Sequence, residues 1–310
     1  MRFLQSFGDL PRQRLKSFAM FEQLGLIGCG LMGGSFALAC KREGLVKRVV
    51  GYSKSPSTTD RAKQMGVIDD AAPSALLAVS GSDLVLMAVP VSATEATLKA
   101  ISNLVSPKTL VMDVGSTKKD VVDIARRVLR TQVGSFVPAH PITGKEVAGI
   151  EHADINLYDG QQVVLTPIEK TLTSHLRKAT ALWTALGSRV LTMSPDAHDA
   201  AFASVSHLPH MIAFALIKGI MAQPQGSEYL DLAGPGFRDF SRIAASDPQV
   251  WRDILLSNKT QLLAQSQYFR QALESFEKMV EANDGDAIAA EIAKVSVTRA
   301  AWRMATNRTA

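Results

Sequence analysis

The chain contains little cysteine and few aromatic residues. Only two of its 310 residues are cysteines, Cys29 and Cys40, too few and too close together for a disulfide framework or a cysteine-rich metal centre. Low cysteine usage is typical of a reducing compartment, so the sequence predicts a cytoplasmic protein. Aromatic residues make up 6% and the basic residues are dispersed, so the net charge of +5 does not indicate nucleic-acid binding. We expect this charge to favour a small acidic substrate instead.

Long hydrophobic runs are also lacking. The most apolar stretch, residues 211–217, ends at Lys218 and is far shorter than the roughly 20 residues that a membrane-spanning helix needs. The first 19 residues include four basic side chains but no continuous apolar segment, which is unlike a signal peptide. We therefore predict no membrane span, and we interpret residues 1–19 as a disordered extension or as the product of a misassigned start codon.

The rest of the sequence divides into two regions of different pattern. Between residues 20 and 193, short apolar runs alternate with helical stretches, which is typical of an α/β fold with a doubly wound, largely parallel Rossmann-type sheet. Residues 194–310 are almost free of strand signals and predict an all-helical domain. Its helices are expected near 196–223, 247–283 and 285–306, with an irregular loop at 226–236.

The most informative motif is G-x-G-x-x-G at Gly28, Gly30 and Gly33, which follows a strand-like run and precedes a helix-like one. In this context the glycines allow a tight turn, close approach of the backbone to a pyrophosphate, and close packing of helix on strand. The motif predicts a dinucleotide-binding domain at 20–193, although a glycine-rich turn without a ligand has the same pattern. The expected cofactor contacts are Gly28, Gly30, Leu31, Met32, Gly33, Ser53, Lys54, Ser55, Val89 and Pro90.

The end of the second predicted strand indicates which coenzyme is used. NAD enzymes place Asp or Glu there, on the ribose 2′-hydroxyl. This chain instead has Ser53, Lys54 and Ser55, which can donate hydrogen bonds to a 2′-phosphate. The sequence therefore predicts NADP, with NAD as the alternative.

Polar residues directly after apolar runs are candidates for chemistry, because ligands bind beyond the carboxyl ends of parallel strands. His140 follows the run at 135–138, and an imidazole with an ordinary pKa near 6.5 suits a general base. The alternative is a histidine that only caps a strand end. Ser116 follows the run at 109–114 and can bind the histidine, bind a substrate hydroxyl, or cap the next helix.

The helical region adds further polar residues. His198, His207 and His210 have a spacing that raises the question of a metal site, but Pro209 interrupts the i, i+4 geometry and we predict none. The stretch 234–253 combines arginines and acids with an apolar stripe. Surface ion pairing and an arginine that clamps a substrate carboxylate are both compatible with it.

The glycine turn is followed by five motifs in order: Asp113-Val-Gly-Ser-Thr-Lys118, His140-Pro-Ile-Thr-Gly-Lys-Glu146, His198-Asp199, Ser206-His-Leu-Pro-His210 and Gly236-Phe-Arg-Asp-Phe-Ser-Arg-Ile-Ala-Ala245. Together they resemble the prephenate/arogenate dehydrogenase family of tyrosine biosynthesis, over residues 21–260. The resemblance implies an NAD(P)-dependent oxidative decarboxylation. In it, hydride leaves ring C4 of prephenate, the C4 hydroxyl loses its proton and CO2 leaves C1.

The same resemblance implies catalytic roles. His140 matches the histidine that takes the hydroxyl proton, and Ser116 matches the serine that orients imidazole and hydroxyl. Arg242 matches the arginine that binds the ring carboxylate. If His140 is the base, we expect kcat to rise with pH through a group of pKa near 6.5.

Other implied features concern specificity and assembly. Trp251 and His207 match positions that line the substrate pocket. Lys145 stands where many relatives have a neutral residue, and a cation there favours the pyruvyl carboxylate of prephenate over the ammonium of arogenate. Residues 194–310 resemble the family's dimerisation domain, which implies a homodimer.

Two rival interpretations stay open on the residues alone. One is another Rossmann dehydrogenase, of the β-hydroxyacid or 3-hydroxyacyl-CoA type, which usually employs a lysine or a His-Glu pair as acid and base. The run His140-Pro-Ile-Thr-Gly argues against it. The other is a regulator that binds the dinucleotide without turning it over, and no DNA-reading helix supports it.

Overall fold

The computed structural model describes residues 5–6, 19–145 and 147–303. Of the predicted disordered extension, only Gln5–Ser6 and Ala19 fall in this part, and the rest of that prediction lies outside the described residues. Gln5–Ser6 forms a short strand, β1.

A parallel sheet forms the centre of the N-terminal domain. Within the described ranges its strands are β2 (Phe21–Ile27), β3 (Val46–Tyr52), β4 (Asp70–Ala71), β5 (Leu84–Met87), β6 (Leu110–Asp113) and β7 (Phe136–Val137). The order is β4-β3-β2-β5-β6-β7. Counted from β2 as the first strand this is 3-2-1-4-5-6, the Rossmann order, in which the connections reverse direction between β2 and β5. The predicted fold class is confirmed.

Apolar side chains cover both faces of this sheet, as expected for parallel strands between helices. The helices of the domain are α1 (Leu31–Arg42), α2 (Pro56–Gln64), α3 (Ala75–Val79), α4 (Thr94–Ile101), α5 (Lys119–Leu129) and α6 (Thr173–Ala185). One core lies under α1 and α6 around Phe36 and Trp183, and the other lies under α4 and α5 around Leu98 and Val121.

The chain leaves the parallel sheet at Pro138 and enters a second, smaller sheet. This sheet contains β8 (Ala139–Pro141), β9 (Gln162–Leu165) and β10 (Arg189–Thr192), with β1 on its edge, in the order β1-β10-β9-β8. β8 runs antiparallel to β9, whereas β9 and β10 are parallel. The strand expected at 135–138 is present as β7 but ends at Val137, because Pro138 has no N–H with which to continue a ladder.

Helices make up the region after β10. They are α7 (Pro195–Phe202), α8 (Leu208–Met221), α9 (Gly226–Asp231), α10 (Pro235–Ser241), α11 (Pro248–Ser257), α12 (Lys259–Glu281) and α13 (Gly285–Ala301). A π-helical turn, Ala203–His207, joins α7 to α8. The irregular loop predicted at 226–236 is wrong, since it contains α9 and the start of α10. Pro235 occupies the first turn of α10, where its missing N–H costs no helical hydrogen bond.

The continuous helical segment Pro195–Met221 is longer than the apolar run that the sequence analysis considered. Its 27 residues have a mean hydropathy of 1.5 in the most apolar window, so by length and composition it could cross a membrane. The segment also carries His198 and Asp199, whose buried side chains contact the N-terminal domain. We interpret it as the central helix of the helical domain, and the absence of a membrane span stays a prediction.

Candidate active site

The glycine turn has the shape that a dinucleotide phosphate needs. Gly28 has φ +96°, and a Cβ there would lie 2.1 Å from the Ala88 carbonyl oxygen. A Cβ at Gly33 would lie 2.0 Å from the Gly28 oxygen, so helix and strand approach as closely as the motif predicts. Gly30, at the N-cap of α1, faces open space, and no side chain caps this helix. The uncapped N–H groups and the helix dipole are therefore available to an anion.

The ends of β3 and β5 flank this turn. Ser53 Oγ accepts a hydrogen bond from the Cys29 amide at 2.8 Å, which ties the glycine turn to β3. Lys54 and Ser55 are exposed at the start of α2. On the opposite side Val89 is half-buried and Pro90 is exposed beyond β5. The cofactor residues predicted from the sequence are thus brought together, with Leu31 and Met32 in the first turn of α1.

His140 is the first member of a buried chain of hydrogen-bonded side chains. Its Nδ1 atom lies 2.8 Å from His198 Nε2, and His198 Nδ1 lies 2.7 Å from Asp199 Oδ1. The Phe202 ring packs beside both imidazoles, with centroids 4.8 and 4.5 Å away. His140 therefore does more than cap a strand end, because its ring contacts His198 and Phe202 of α7.

Asp199 joins the helical domain to the N-terminus of α5. Its carboxylate accepts the amide hydrogens of Lys118 at 2.8 Å and Lys119 at 2.9 Å, besides the His198 ring N–H. Burial alone would raise the pKa of Asp199, but the hydrogen bonds that it accepts outweigh burial and hold the pKa below its usual value. The carboxylate is therefore ionised at neutral pH.

An ionised Asp199 determines the tautomers along the chain. Because it accepts from His198 Nδ1, the His198 Nε2 atom carries a lone pair and accepts from His140 Nδ1. The lone pair of His140 is then on Nε2, the nitrogen that is left for a substrate. A general base needs this arrangement.

The pKa of His140 differs from the sequence-based expectation of about 6.5. Burial lowers it well below 6.5, and the proximity of His198, Lys118 and His207 further disfavours a second positive charge there. The imidazole is therefore neutral and able to accept a proton at physiological pH. The acidic limb of kcat should accordingly lie below pH 6.5 rather than near it.

Ser116 and His207 continue the site away from His140. Ser116 is half-buried after β6, and its hydroxyl has no hydrogen-bond partner among the described residues. It does not cap α5, so the capping alternative is not supported. The π-helical turn places His207 near the Ser116 backbone, and Asn258 Nδ2 lies 3.1 Å from His207 Nδ1. Burial lowers the pKa of His207 to about 4.

The far end of the site is aromatic and cationic. His210 stacks on Trp251 with a centroid distance of 3.5 Å, and His207 meets the same indole edge-on at 6.2 Å. Arg242 is exposed on a 3-10 turn, Arg242–Ala245. The pKa of His210 is lowered by burial first and then by the Arg242 guanidinium, which places this charge beside the stack. The structure therefore brings Arg242, His207 and Trp251 to one end of the site.

Lys145 lies on the exposed segment after β8. Its ammonium pairs with Asp154 Oδ2 at 3.0 Å and also donates to the His152 carbonyl at 3.3 Å. A contact of Lys145 with a substrate carboxylate requires exchange of this partner.

Several residues of the site were not assigned roles from the sequence. His198 and Asp199 were noted as a motif only, and His210 was considered only as a metal ligand. A signal for the first two exists, because both are polar residues on the face of α7 that must be buried against the first domain. The stacking of His210 on Trp251 has no comparable signal, since it joins residues 41 positions apart.

Comparisons with known proteins agree with the geometry. Residues 36–192 match the family described as "Prephenate dehydrogenase, nucleotide-binding domain", and residues 194–294 match "Prephenate dehydrogenase, dimerization domain". The first match ends at residue 192 and the second begins at residue 194.

Individual proteins with similar sequences or structures are prephenate and cyclohexadienyl dehydrogenases. The chain is 35% identical to the prephenate dehydrogenase of Bacillus subtilis over 86% of this chain and 72% of that protein. It is 32% identical to the cyclohexadienyl dehydrogenase of Zymomonas mobilis, over 86% and 91%. The crystal structure of prephenate dehydrogenase from A. aeolicus, with hydroxyphenyl propionate and NAD+, superposes with a TM-score of 0.85 at 34% identity, covering 92% of this chain and 99% of that one.

Proposed function

The chain belongs to the prephenate dehydrogenase family, and from that premise we propose that it oxidises and decarboxylates prephenate to 4-hydroxyphenylpyruvate in tyrosine biosynthesis. It is an oxidoreductase with an NAD(P)-binding domain. The proposal includes arogenate as a second substrate, which the enzyme would convert to tyrosine. The observation that carries it is the buried chain His140–His198–Asp199, which presents a neutral imidazole beside the carboxyl end of the parallel sheet.

His140 handles the proton of the reaction. It accepts the proton of the C4 hydroxyl as hydride leaves C4. When bound, the oxidised nicotinamide coenzyme supplies the acceptor for that hydride. The C1–CO2 bond breaks in the same event, and its electron pair enters the ring. His140 then returns the proton to the aromatic oxygen, so that no proton is consumed overall.

Ser116 and Arg242 hold the two ends of the ring. The hydroxyl of Ser116 orients the C4 hydroxyl toward His140 Nε2, while Arg242 binds the ring carboxylate and aligns the C1–CO2 bond with the ring π system. His207 and Trp251 line the space between them. Because the carboxylate bound by Arg242 is also the group that departs, aromatisation contributes much of the driving force.

Lys145 influences which side chain is accepted. Its exposed ammonium favours the pyruvyl carboxylate of prephenate over the ammonium of arogenate, once it has exchanged Asp154 for the substrate.

Cys29 and Cys40 are buried free thiols, which is compatible with a reducing cytoplasm as the site of action.

The purified protein tests the proposal directly. Absorbance of the reduced nicotinamide is followed with prephenate and with arogenate, each with both coenzymes, together with release of CO2. We expect reduction that depends on prephenate. Coenzyme binding without turnover of either substrate would instead indicate the dinucleotide-sensing regulator.

NADP is the coenzyme that the end of β3 favours. Lys54 and Ser55 are exposed where a 2′-phosphate would lie, and a charge-assisted hydrogen bond from Lys54 has no equivalent with NAD. We expect kcat/KM to be about tenfold or more higher for NADP, and Lys54→Met to remove most of that difference without affecting NAD. Lys47→Met, on the other end of β3, is the matched control, since Lys47 pairs with Glu22. A clear NAD preference in the wild-type enzyme contradicts the coenzyme assignment but not the reaction.

The helical domain supports assembly into a homodimer. In its described part, α12 has Leu262 as a buried residue and α13 has none, although both carry large apolar side chains. These exposed side chains are Leu263, Tyr268, Phe269, Leu273, Val280, Ile292, Val295 and Val297. A second copy would cover such a surface through a two-fold interface.

Light scattering coupled to size-exclusion chromatography measures this assembly. We expect about twice the chain mass of 33.4 kDa. Leu273→Glu should shift the population toward monomer, whereas Leu77→Glu, at an exposed leucine of the N-terminal domain, should leave it unchanged. A wild-type protein that is entirely monomeric contradicts the dimer.

A further inference from the structure

A buried ion pair holds the residue immediately before His140. Ala139 lies where the chain passes from the parallel sheet to the second sheet, and β8 has β9 on one side. On the other side its backbone is bound by side chains. The Ala139 amide donates to Asp113 Oδ1 at 3.1 Å, and its carbonyl accepts from Lys118 Nζ at 2.8 Å. Lys118 Nζ also pairs with Asp113 Oδ2.

The pair does for Ala139 what a neighbouring strand would do. Both backbone groups of one residue are satisfied by two side chains that are themselves linked. Asp113 Oδ2 additionally accepts the Gly115 amide at 2.8 Å, which fixes the segment that carries Ser116. The end of β6, the segment before α5 and the start of β8 are therefore held by one cluster.

Burial of this pair is nearly complete. The Lys118 side chain has 0% exposure and that of Asp113 has 5%. A buried ion pair loses in desolvation much of what it gains in attraction, so packed apolar residues would stabilise the fold about as well. Lys118 is also enclosed, which removes it from direct contact with substrate. The specific contribution of the pair is therefore the geometry of the backbone that it binds.

The ammonium also acts electrostatically on His140. The titratable and charged groups that face this imidazole come from α7, from the π-helical turn and from the cluster itself; they are His198, Asp199, His207, Lys118 and Asp113. Among them Lys118 carries a charge that disfavours an imidazolium.

We propose that Lys118 and Asp113 are a positioning pair, which binds both backbone groups of Ala139 and thereby aims His140 at the reacting hydroxyl. The ammonium has a second effect, since its charge adds to burial in lowering the pKa of His140. This inference rests on the proposed function of His140 as the base, and it assigns neither residue a contact with substrate or coenzyme.

Lys118→Met removes both the hydrogen bond and the charge. We expect kcat to fall about 10- to 100-fold with KM for prephenate within about twofold, because a displaced base slows the chemical step without weakening binding. The acidic limb of the kcat profile should move upward by about one pH unit, since loss of a nearby positive charge raises the pKa of His140.

Two companion variants separate position from charge. Lys118→Gln keeps a donor for the Ala139 carbonyl but has no charge, so it should retain most of kcat and still show the upward shift. Asp113→Asn leaves one acceptor oxygen where two now accept the Ala139 and Gly115 amides and pair with Lys118, so the backbone before His140 loses its support and kcat should fall. Lys99→Met, at an exposed lysine that pairs with Glu95 on α4, is the control and should behave as wild type.

Folding is monitored by circular dichroism and by fluorescence titration with the reduced coenzyme. Wild-type kcat and an unshifted limb in both Lys118 variants would overturn the inference. A loss of kcat in proportion to lost folded protein, with no shift, would overturn it as well, because it indicates a purely structural role. These results differ from failure of the proposed function, in which the wild-type enzyme itself does not oxidise prephenate.

Discussion

Replacing His140 with asparagine is expected to lower kcat by a factor of about 100 to 10,000, the range that a positioned general base contributes. KM for prephenate should change little, because His140 acts on the C4 hydroxyl in the transition state while Arg242 and the pocket provide the binding. Steady-state kinetics on the variant with saturating coenzyme give both constants.

The pH profile adds a second readout for the same residue. In the wild-type enzyme only the neutral imidazole accepts a proton, so kcat rises with pH through the pKa of His140. Since burial lowers that pKa well below 6.5, the rise should occur in the acidic range and kcat should be level near pH 7. In His140→Asn this limb should disappear. A limb that persists would assign it to another group and remove His140 as the base.

Asp199→Asn tests whether the tautomer matters. An amide cannot accept from His198 and from the α5 amides as the carboxylate does, so His198 is free to present a proton to His140. The result should be a large loss of kcat with a smaller effect on coenzyme binding. His152→Asn is the control, since His152 is exposed and lies outside the hydrogen-bonded chain.

The fold and much of the site follow from local sequence signals. The spacing of Gly28, Gly30 and Gly33 predicts the turn, because Gly28 and Gly33 lie against close backbone atoms and Gly30 leaves open space at the N-cap of α1. His140 and Ser116 could be found because polar residues at strand ends meet at one edge of a parallel sheet. These inferences need only the chain order of strands, which periodicity supplies.

Interactions between the two domains could not be obtained in this way. The partner of His140 is His198, 58 residues later, and the groups that cap α5 come from α7 rather than from the preceding segment. The shift of the His140 pKa is likewise a result of tertiary burial, so the ordinary value of about 6.5 was the wrong expectation. The break of the strand at Pro138 had a local signal in the proline itself, but its consequence, a second sheet, depends on pairing with β9.

Replacing Arg242 with alanine is expected to lower kcat/KM roughly 30- to 5000-fold, mostly through a higher KM. This corresponds to a loss of about 2–5 kcal/mol in transition-state stabilisation. The reason is that a guanidinium binds a carboxylate with two parallel hydrogen bonds, and the ring carboxylate has to be oriented before it can leave. Arg242→Lys keeps the charge but not the planar fork, so it should fall between wild type and the alanine variant.

A spectroscopic readout separates this role from surface ion pairing. Because the Arg242 charge lowers the pKa of His210, its removal should raise that pKa, which NMR titration of the histidine measures. Arg238→Ala is the matched control on the preceding helix, since Arg238 is exposed and pairs with Asp239 at 3.1 Å. A wild-type KM in Arg242→Ala, together with an unchanged His210 titration, would leave the ring carboxylate without its proposed partner. Lys145 would have to exchange Asp154 for the ring carboxylate in order to take over that role.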